Sequence, residues 1–195
     1  VGAPAHLAKS WFAGLLRDGF ALTVAGVAEP FARIGQEALR NSLEGRDLST
    51  SVDDAVAHVM AGFGELGVHD DVADGVRALA GLGIRLVTLS NGSTAVAERL
   101  LGEAGLRDHF EQLLSVEDAG IWKPASGAHA YALETCGVEP TDAMLVAVHP
   151  WDTDGAARAG LGSAWINRTG GTYPSYFTPP DLEAASLVDL AEQLR

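Results

Sequence analysis

Apolar side chains recur every three or four residues through much of the first 65 positions. Leu7, Trp11 and Leu15 share one helical face, and Val52, Val56, Val59 and Phe63 share another. Ser51 precedes the second set, with Asp53 and Asp54 close behind it. That is a helix start with acids at the positive end of the dipole. No run in this part has the length and β-branching of a buried strand.

The period changes near residue 70. Residues 71–82 read as a helix stopped by Gly81 and Gly83. Residues 84–89, Ile-Arg-Leu-Val-Thr-Leu, read as a buried strand that ends in Ser90-Asn91-Gly92-Ser93. A helix over 94–104 closes at Gly105, and 110–116 forms a short strand. A helix over 125–136 ends at Gly137, and 143–148 is a second buried strand. A helix over 152–159 ends at Gly160, 163–166 is a third buried strand, and 186–194 is a final helix. Strands alternating with helices pack as a parallel, doubly wound sheet with right-handed crossovers. The fold class is therefore α/β, with a helical opening over 1–68 and an α/β core over 69–195.

The chain has 195 residues, enough for one substantial domain or a core with a small insert. Net charge is −13, a surface that repels phosphate backbones and anionic lipid heads, so neither nucleic acid nor membrane is an expected partner. Cys136 is the only cysteine, which excludes an intrachain disulfide and suits a reducing cytoplasm. No apolar run reaches the roughly 20 residues of a spanning helix, and no signal-peptide pattern opens the chain.

In such sheets ligands sit beyond the carboxyl ends of the strands, so the polar residues after each strand carry the candidate chemistry. Three clusters fall there. Ser90-Asn91-Gly92 offers a hydroxyl, an amide and backbone N–H groups: an anion-binding corner, or simply a cap and turn. Lys123 stands directly before Pro124, in extended backbone at a helix start: a placed cation, or a solvated surface lysine. His149-Pro150-Trp151-Asp152 follows the second strand. Asp152 could cap the next helix, act as a general base or pair with Lys123, and His149 could titrate or only hydrogen-bond. Trp151 reads as core or pocket wall.

Strand–Ser-Asn, then Lys-Pro, then strand followed by Asp is the order in which the chain resembles the haloacid dehalogenase superfamily. Within it, the likeness is to the L-2-haloacid dehalogenase branch. The stretches that carry it are Leu86-Val-Thr-Leu-Ser-Asn-Gly-Ser93, Ala104-Gly-Leu-Arg-Asp108, Leu113-Leu-Ser-Val116, Ile121-Trp-Lys-Pro124 and Trp165-Ile-Asn-Arg-Thr-Gly170. The resemblance implies a core of that superfamily, with the helical opening as a cap subdomain inserted after the first core strand. It implies a substrate that is a small anionic 2-haloacid, no metal, no cofactor, and often a homodimer.

The implied mechanism has an aspartate displace halide from carbon to give an enzyme ester, which water then hydrolyses at the ester carbonyl. Ser90 and Asn91 would bind the substrate carboxylate or halide region, Lys123 would hold and charge-balance the carboxylates, Asp152 would position or activate the water, and Trp151 would wall the pocket. The chain departs from the pattern at three places. His149 stands where the branch has Asn, and His129 aligns with its tyrosine, with Tyr131 as a substitute. Its halide-binding cap arginine would fall near Ala3, leaving Arg17 as a loose candidate.

The superfamily's phosphatases hold Mg²⁺ with an Asp-x-x-x-Asp pair. Here Asp152 matches the second acid, Val148 stands at the first, and Asp154 lies at the wrong spacing. The dehalogenase reading is therefore preferred to a Mg²⁺-dependent phosphatase. No Asp-x-x-x-Thr follows an apolar strand; Asp18 to Thr23 is the nearest string, with the wrong spacing. The chain opens on Val1, and the nucleophile strand is expected from a preceding segment or another chain. A non-catalytic binding protein is the remaining reading.

Overall fold

The computed structural model describes residues 1–195. Three helices open it: α1 (Leu7–Val24), α2 (Phe31–Leu43) and α3 (Val52–Gly64). Ser51 caps α3 as expected, its Oγ accepting the Asp54 N–H at 3.1 Å with Asp53 and Asp54 in the first turn. Trp11 and Leu15 of α1, Ile34, Leu39 and Leu43 of α2, and Ala55 and Val56 of α3 pack into one cluster. The same cluster takes in Val116, Trp122 and Ala128 from the α/β part, so one apolar cluster bridges the two parts, while two smaller ones lie within the α/β part. The contact is close because Gly19 has no side chain: a Cβ there would lie 2.3 Å from the Trp122 ring. Trp122 is anchored by its indole N–H, which donates to the Glu29 carbonyl at 3.0 Å.

The α/β part runs α4 (Val72–Gly81), β1 (Leu86–Ser90), α5 (Thr94–Glu103), β2 (Phe110–Ser115), α6 (Val116–Ala119), α7 (Ser126–Cys136), β3 (Met144–Ala147), α8 (Pro150–Arg158), β4 (Gly162–Ile166), β5 (Leu182–Ala184) and α9 (Leu187–Gln193). All strand pairs are parallel, as the alternation requires. They form two sheets, β1-β2 and β3-β4-β5. β1 pairs only with β2 and β3 only with β4, leaving each one unpaired edge.

Three expectations need correcting. The strand at 143–148 is not buried: Met144, Val146 and Val148 are 38, 37 and 45% exposed, because β3 is flanked by a strand on one side only. Ile84 lies outside β1 and is 39% exposed. α8 begins at Pro150, two residues before the expected start. Proline suits the first helical turn because its missing N–H has no partner to lose there. β5 was not foreseen. It is three residues long, and Asp181 places it by bonding across to Ser163 through both backbone and side chain.

The far end of the core is tied by Asp71, which accepts the Leu187 N–H at 2.8 Å and pairs with Arg168 beyond β4. Burial raises the Asp71 carboxyl, but the Leu187 N–H and the Arg168 guanidinium outweigh it and hold it below the usual carboxylate value. Its contribution is therefore complete above the unfolded-state carboxylate pKa and is lost as pH falls through the lower folded value. Asp71→Asn is expected to lower stability by about 1–3 kcal/mol at pH 7. Urea unfolding across acidic pH should show this difference shrinking as the medium is acidified.

A second prediction concerns Gly155 inside α8, where a Cβ would lie 2.6 Å from the Pro124 Cβ and 2.7 Å from its carbonyl oxygen. Gly→Ala in a helix ordinarily stabilises by about 1 kcal/mol. Here the overlap is expected to reverse the sign, with Gly155→Ala losing about 1–3 kcal/mol in the same assay.

Candidate active site

Lys123 is reached through a short turn. α6 stops at Gly120, whose φ of 67° is a left-handed C-cap, and Ile121-Trp122-Lys123-Pro124 then leads into α7 with a cis Lys123–Pro124 bond. Asn91, just past β1, grips this turn from both sides. Its Oδ1 accepts the Lys123 N–H at 3.0 Å and its Nδ2 donates to the Lys123 carbonyl at 3.2 Å. The carboxamide is thus spent on backbone 32 positions away, so its geometry is that of a positioning group. Ser90 Oγ accepts the Gly92 N–H at 2.9 Å, and Ser115 Oγ donates to the Gly92 carbonyl at 2.9 Å. The Ser-Asn-Gly corner is a braced turn whose Ser90 hydroxyl hydrogen remains free to donate.

The braced lysine meets Asp152. Lys123 Nζ donates to Asp152 Oδ2 at 2.8 Å, and the two residues are 7 and 4% exposed. Because α8 starts at Pro150, Asp152 is its third residue and does not cap it. The tight packing of Gly155 on Pro124 presses the two together. A buried pair needs such geometry, since removing either partner leaves a buried charge uncompensated. Asp152 Oδ1 has no protein partner.

His149 and Trp151 flank this pair. The His149 ring stacks on Trp151 at 5.0 Å and on Phe12 of α1 at 6.3 Å, and Phe20 meets Trp151 edge-on at 5.1 Å. α1 therefore lays two aromatic rings over the residues that follow β3. Burial pushes the His149 imidazole below its usual value and Lys123 adds to that, against an opposing pull from Asp152. Its titration moves to the acid side of the usual histidine range. His129, the fourth residue of α7, is 1% exposed, and neither ring nitrogen has a protein partner. Tyr131, two residues on, lies about 200° around the helix and points elsewhere.

Two sequence candidates are committed away from the pair. Asp154 accepts the Thr178 N–H at 2.8 Å and the Arg158 Nε–H at 2.8 Å, which ties α8 to the loop before β5. Arg17 is mostly exposed, pairs with its neighbour Asp18, and faces a groove between α1 and α2 lined by Ser10, Asn41 and Ser42. That groove does not include Lys123 or Asp152. With Val148 carrying no side-chain oxygen and Asp154 occupied, the hard-oxygen donors that an Mg²⁺ shell needs are not assembled by these residues. No group of three or more His, Cys, Asp or Glu side chains is arranged so that it could hold a metal ion.

Residues 8–160 match the family of haloacid dehalogenase-like hydrolases. The chain is 35% identical over 122 residues to the (S)-2-haloacid dehalogenase of Pseudomonas sp. strain YL, covering 63% of this chain and 53% of that protein. It is 26% identical over 193 residues to (S)-2-haloacid dehalogenase 1 of Pseudomonas sp. strain CBS-3, covering 99 and 85%. The first two curated relatives are matched over only about half their own length. Among solved structures, a dehalogenase with an intermediate complex superposes with a TM-score of 0.91 at 27% identity, over 99% of this chain and 85% of that one. An L-2-haloacid dehalogenase follows at 0.89 and 26%, over 97 and 85%. On its matching segment and its parallel α/β architecture, the chain belongs to the haloacid dehalogenase-like hydrolase family.

Proposed function

We propose that the protein is a hydrolytic dehalogenase of short 2-haloacids working through an aspartyl ester. The observation that carries this reading is the buried Lys123–Asp152 pair, braced by Asn91, with Asp152 Oδ1 buried and without a protein partner. A carboxylate nucleophile would arrive on a strand pairing with the free edges of β1 and β3. Residues 1–68 would then be the cap and 69–195 the core.

The chemistry suits these residues. A carboxylate is a weak nucleophile, and a fixed ammonium orients it without a metal. Displacement forms a carbon–oxygen bond as the carbon–halogen bond breaks and halide leaves with the electron pair. The Ser90 hydroxyl is free to donate to the substrate carboxylate. The aromatic rings of Trp151 and His149 would wall the apolar part of the substrate, and Phe12 and Phe20 would back them. A cytoplasmic setting and a homodimer belong to the same proposal. The first is supported by the lone Cys136, which gives the chain no disulfide of its own.

Halide release from 2-chloropropionate by the protein bearing the nucleophile strand, with a chelator present, tests the reading. Release is expected to persist without divalent metal and to fall by about 10²–10⁴-fold in Lys123→Ala and in Asp152→Asn, with folding checked by circular dichroism. Strict Mg²⁺ dependence together with turnover of a phosphoryl substrate would overturn it.

A further inference from the structure

α8 is held on two sides. Asp152 and Gly155, about 60° apart around the helix axis, face Lys123 and Pro124. Thr153 and Asp154 point the opposite way, onto residues 167–181, which join β4 to β5. The Tyr173 hydroxyl is the hub of that second contact. It lies 2.8 Å from Thr153 Oγ1, 3.1 Å from the Pro150 carbonyl oxygen and 3.0 Å from the Thr178 carbonyl oxygen. Thr153 is fully buried, and its own hydroxyl lies 3.0 Å from the Pro150 carbonyl oxygen. Two hydroxyl hydrogens meet two carbonyl acceptors, so the cluster is closed on itself. Tyr173 is fixed in turn. Its ring meets Trp165 of β4 edge-on at 5.1 Å. Asn167 closes the turn before it, accepting the Gly171 N–H at 2.9 Å and donating to the Gly171 carbonyl at 2.8 Å.

These contacts reach the buried pair through the backbone. The Trp165 indole N–H donates to the Val148 carbonyl at 3.0 Å. Trp165 and Tyr173 thus hold the carbonyls on either side of His149, and Tyr173 holds the first turn of α8, which carries Trp151 and Asp152. The Asp152 carboxylate has a single side-chain bond, to Lys123, since Oδ1 has no protein partner. Its placement therefore depends on the backbone of that turn. A buried ion pair is only as good as its geometry, and a misplacement of about 1 Å can cost up to about 10²-fold in rate. We infer that Tyr173 is a positioning residue: its hydroxyl sets the first turn of α8, and with it the placement of Asp152 against Lys123 and of His149 and Trp151 beside them. Its effect on turnover rests on the dehalogenase reading; its effect on the pair does not.

Tyr173→Phe removes the hydroxyl and keeps the ring on Trp165, while Asp154 still holds the loop through the Thr178 N–H. In the nucleophile-bearing variant, kcat for halide release from 2-chloropropionate is expected to fall about 10-fold, with KM within about twofold of wild type, because Tyr173 acts through Asp152. Thr153→Val removes the other end of the bond with little change of shape. It should cost a similar factor, and the double variant little more than either, since both act through one contact. Should Tyr173→Phe fail to fold, Thr153→Val carries the same comparison. An unchanged kcat, a rise in KM alone, or losses that multiply in the double variant would overturn the inference. A second measurement is independent of turnover. Lys9 and Lys123 are the only lysines among residues 1–195. In ¹⁵N-lysine-labelled protein the Lys123 ammonium signal, assigned by its loss in Lys123→Arg, should shift in Tyr173→Phe while that of Lys9 stays in place; an unshifted Lys123 signal would overturn the inference. Wild-type protein that releases no halide would instead overturn the dehalogenase reading, and the lysine signal would still decide whether Tyr173 sets the pair.

Discussion

Lys123 and Asp152 place a positive and a negative charge out of water, and much of the surrounding architecture follows from what that requires. Two buried charges are tolerated only if their geometry is fixed. Asn91 fixes the lysine from one side by holding both backbone polar groups of its residue. Gly155 fixes the aspartate from the other by letting α8 sit against Pro124 with no intervening atoms. The pair thereby joins the turn after β1, the turn before α7 and the first turn of α8, three segments far apart in sequence.

The helical layer is fastened to the same point. Trp122, one residue before Lys123, is the largest fully buried side chain, and it is gripped by α1 across Gly19 and by the Glu29 carbonyl. Phe12 and Phe20 of α1 reach past it to His149 and Trp151. The site is thus roofed by aromatic rings from one helix and floored by the charged pair. That arrangement lowers the local dielectric around the pair and strengthens its field. It also explains why His149 is held towards its neutral form although a carboxylate lies near it.

Much of this was legible in the residues. The change from a period of three to four to alternating strands and helices marked the α/β part, and the order of Ser90-Asn91, Lys123 and Asp152 marked residues of which Asn91, Lys123 and Asp152 meet in the fold. What stayed hidden depended on distance along the chain. Nothing local tells that Asn91 would turn to the backbone of Lys123 rather than to a ligand, or that His129 would be sealed in without a partner. β5 was invisible because Leu182-Glu183-Ala184 is too short to show a period and follows Pro179-Pro180. The start of α8 was legible and misread: Pro150 is a first-turn signal, and giving it weight removes the capping role for Asp152. β3 reads as a buried strand, and its exposed Met144, Val146 and Val148 reflect sheet pairing, which periodicity does not encode.

The central claim is that a carboxylate opposite Lys123 takes up the carbon skeleton of a 2-haloacid and that Asp152 is needed to release it. Intact-mass measurement of the nucleophile-bearing Asp152→Asn protein after exposure to 2-chloropropionate tests this most directly. The account predicts one propionate unit added per chain, on an aspartate, with one chloride released for each. Protein of unchanged mass, or an adduct formed only with Mg²⁺ and a phosphate ester, would contradict it.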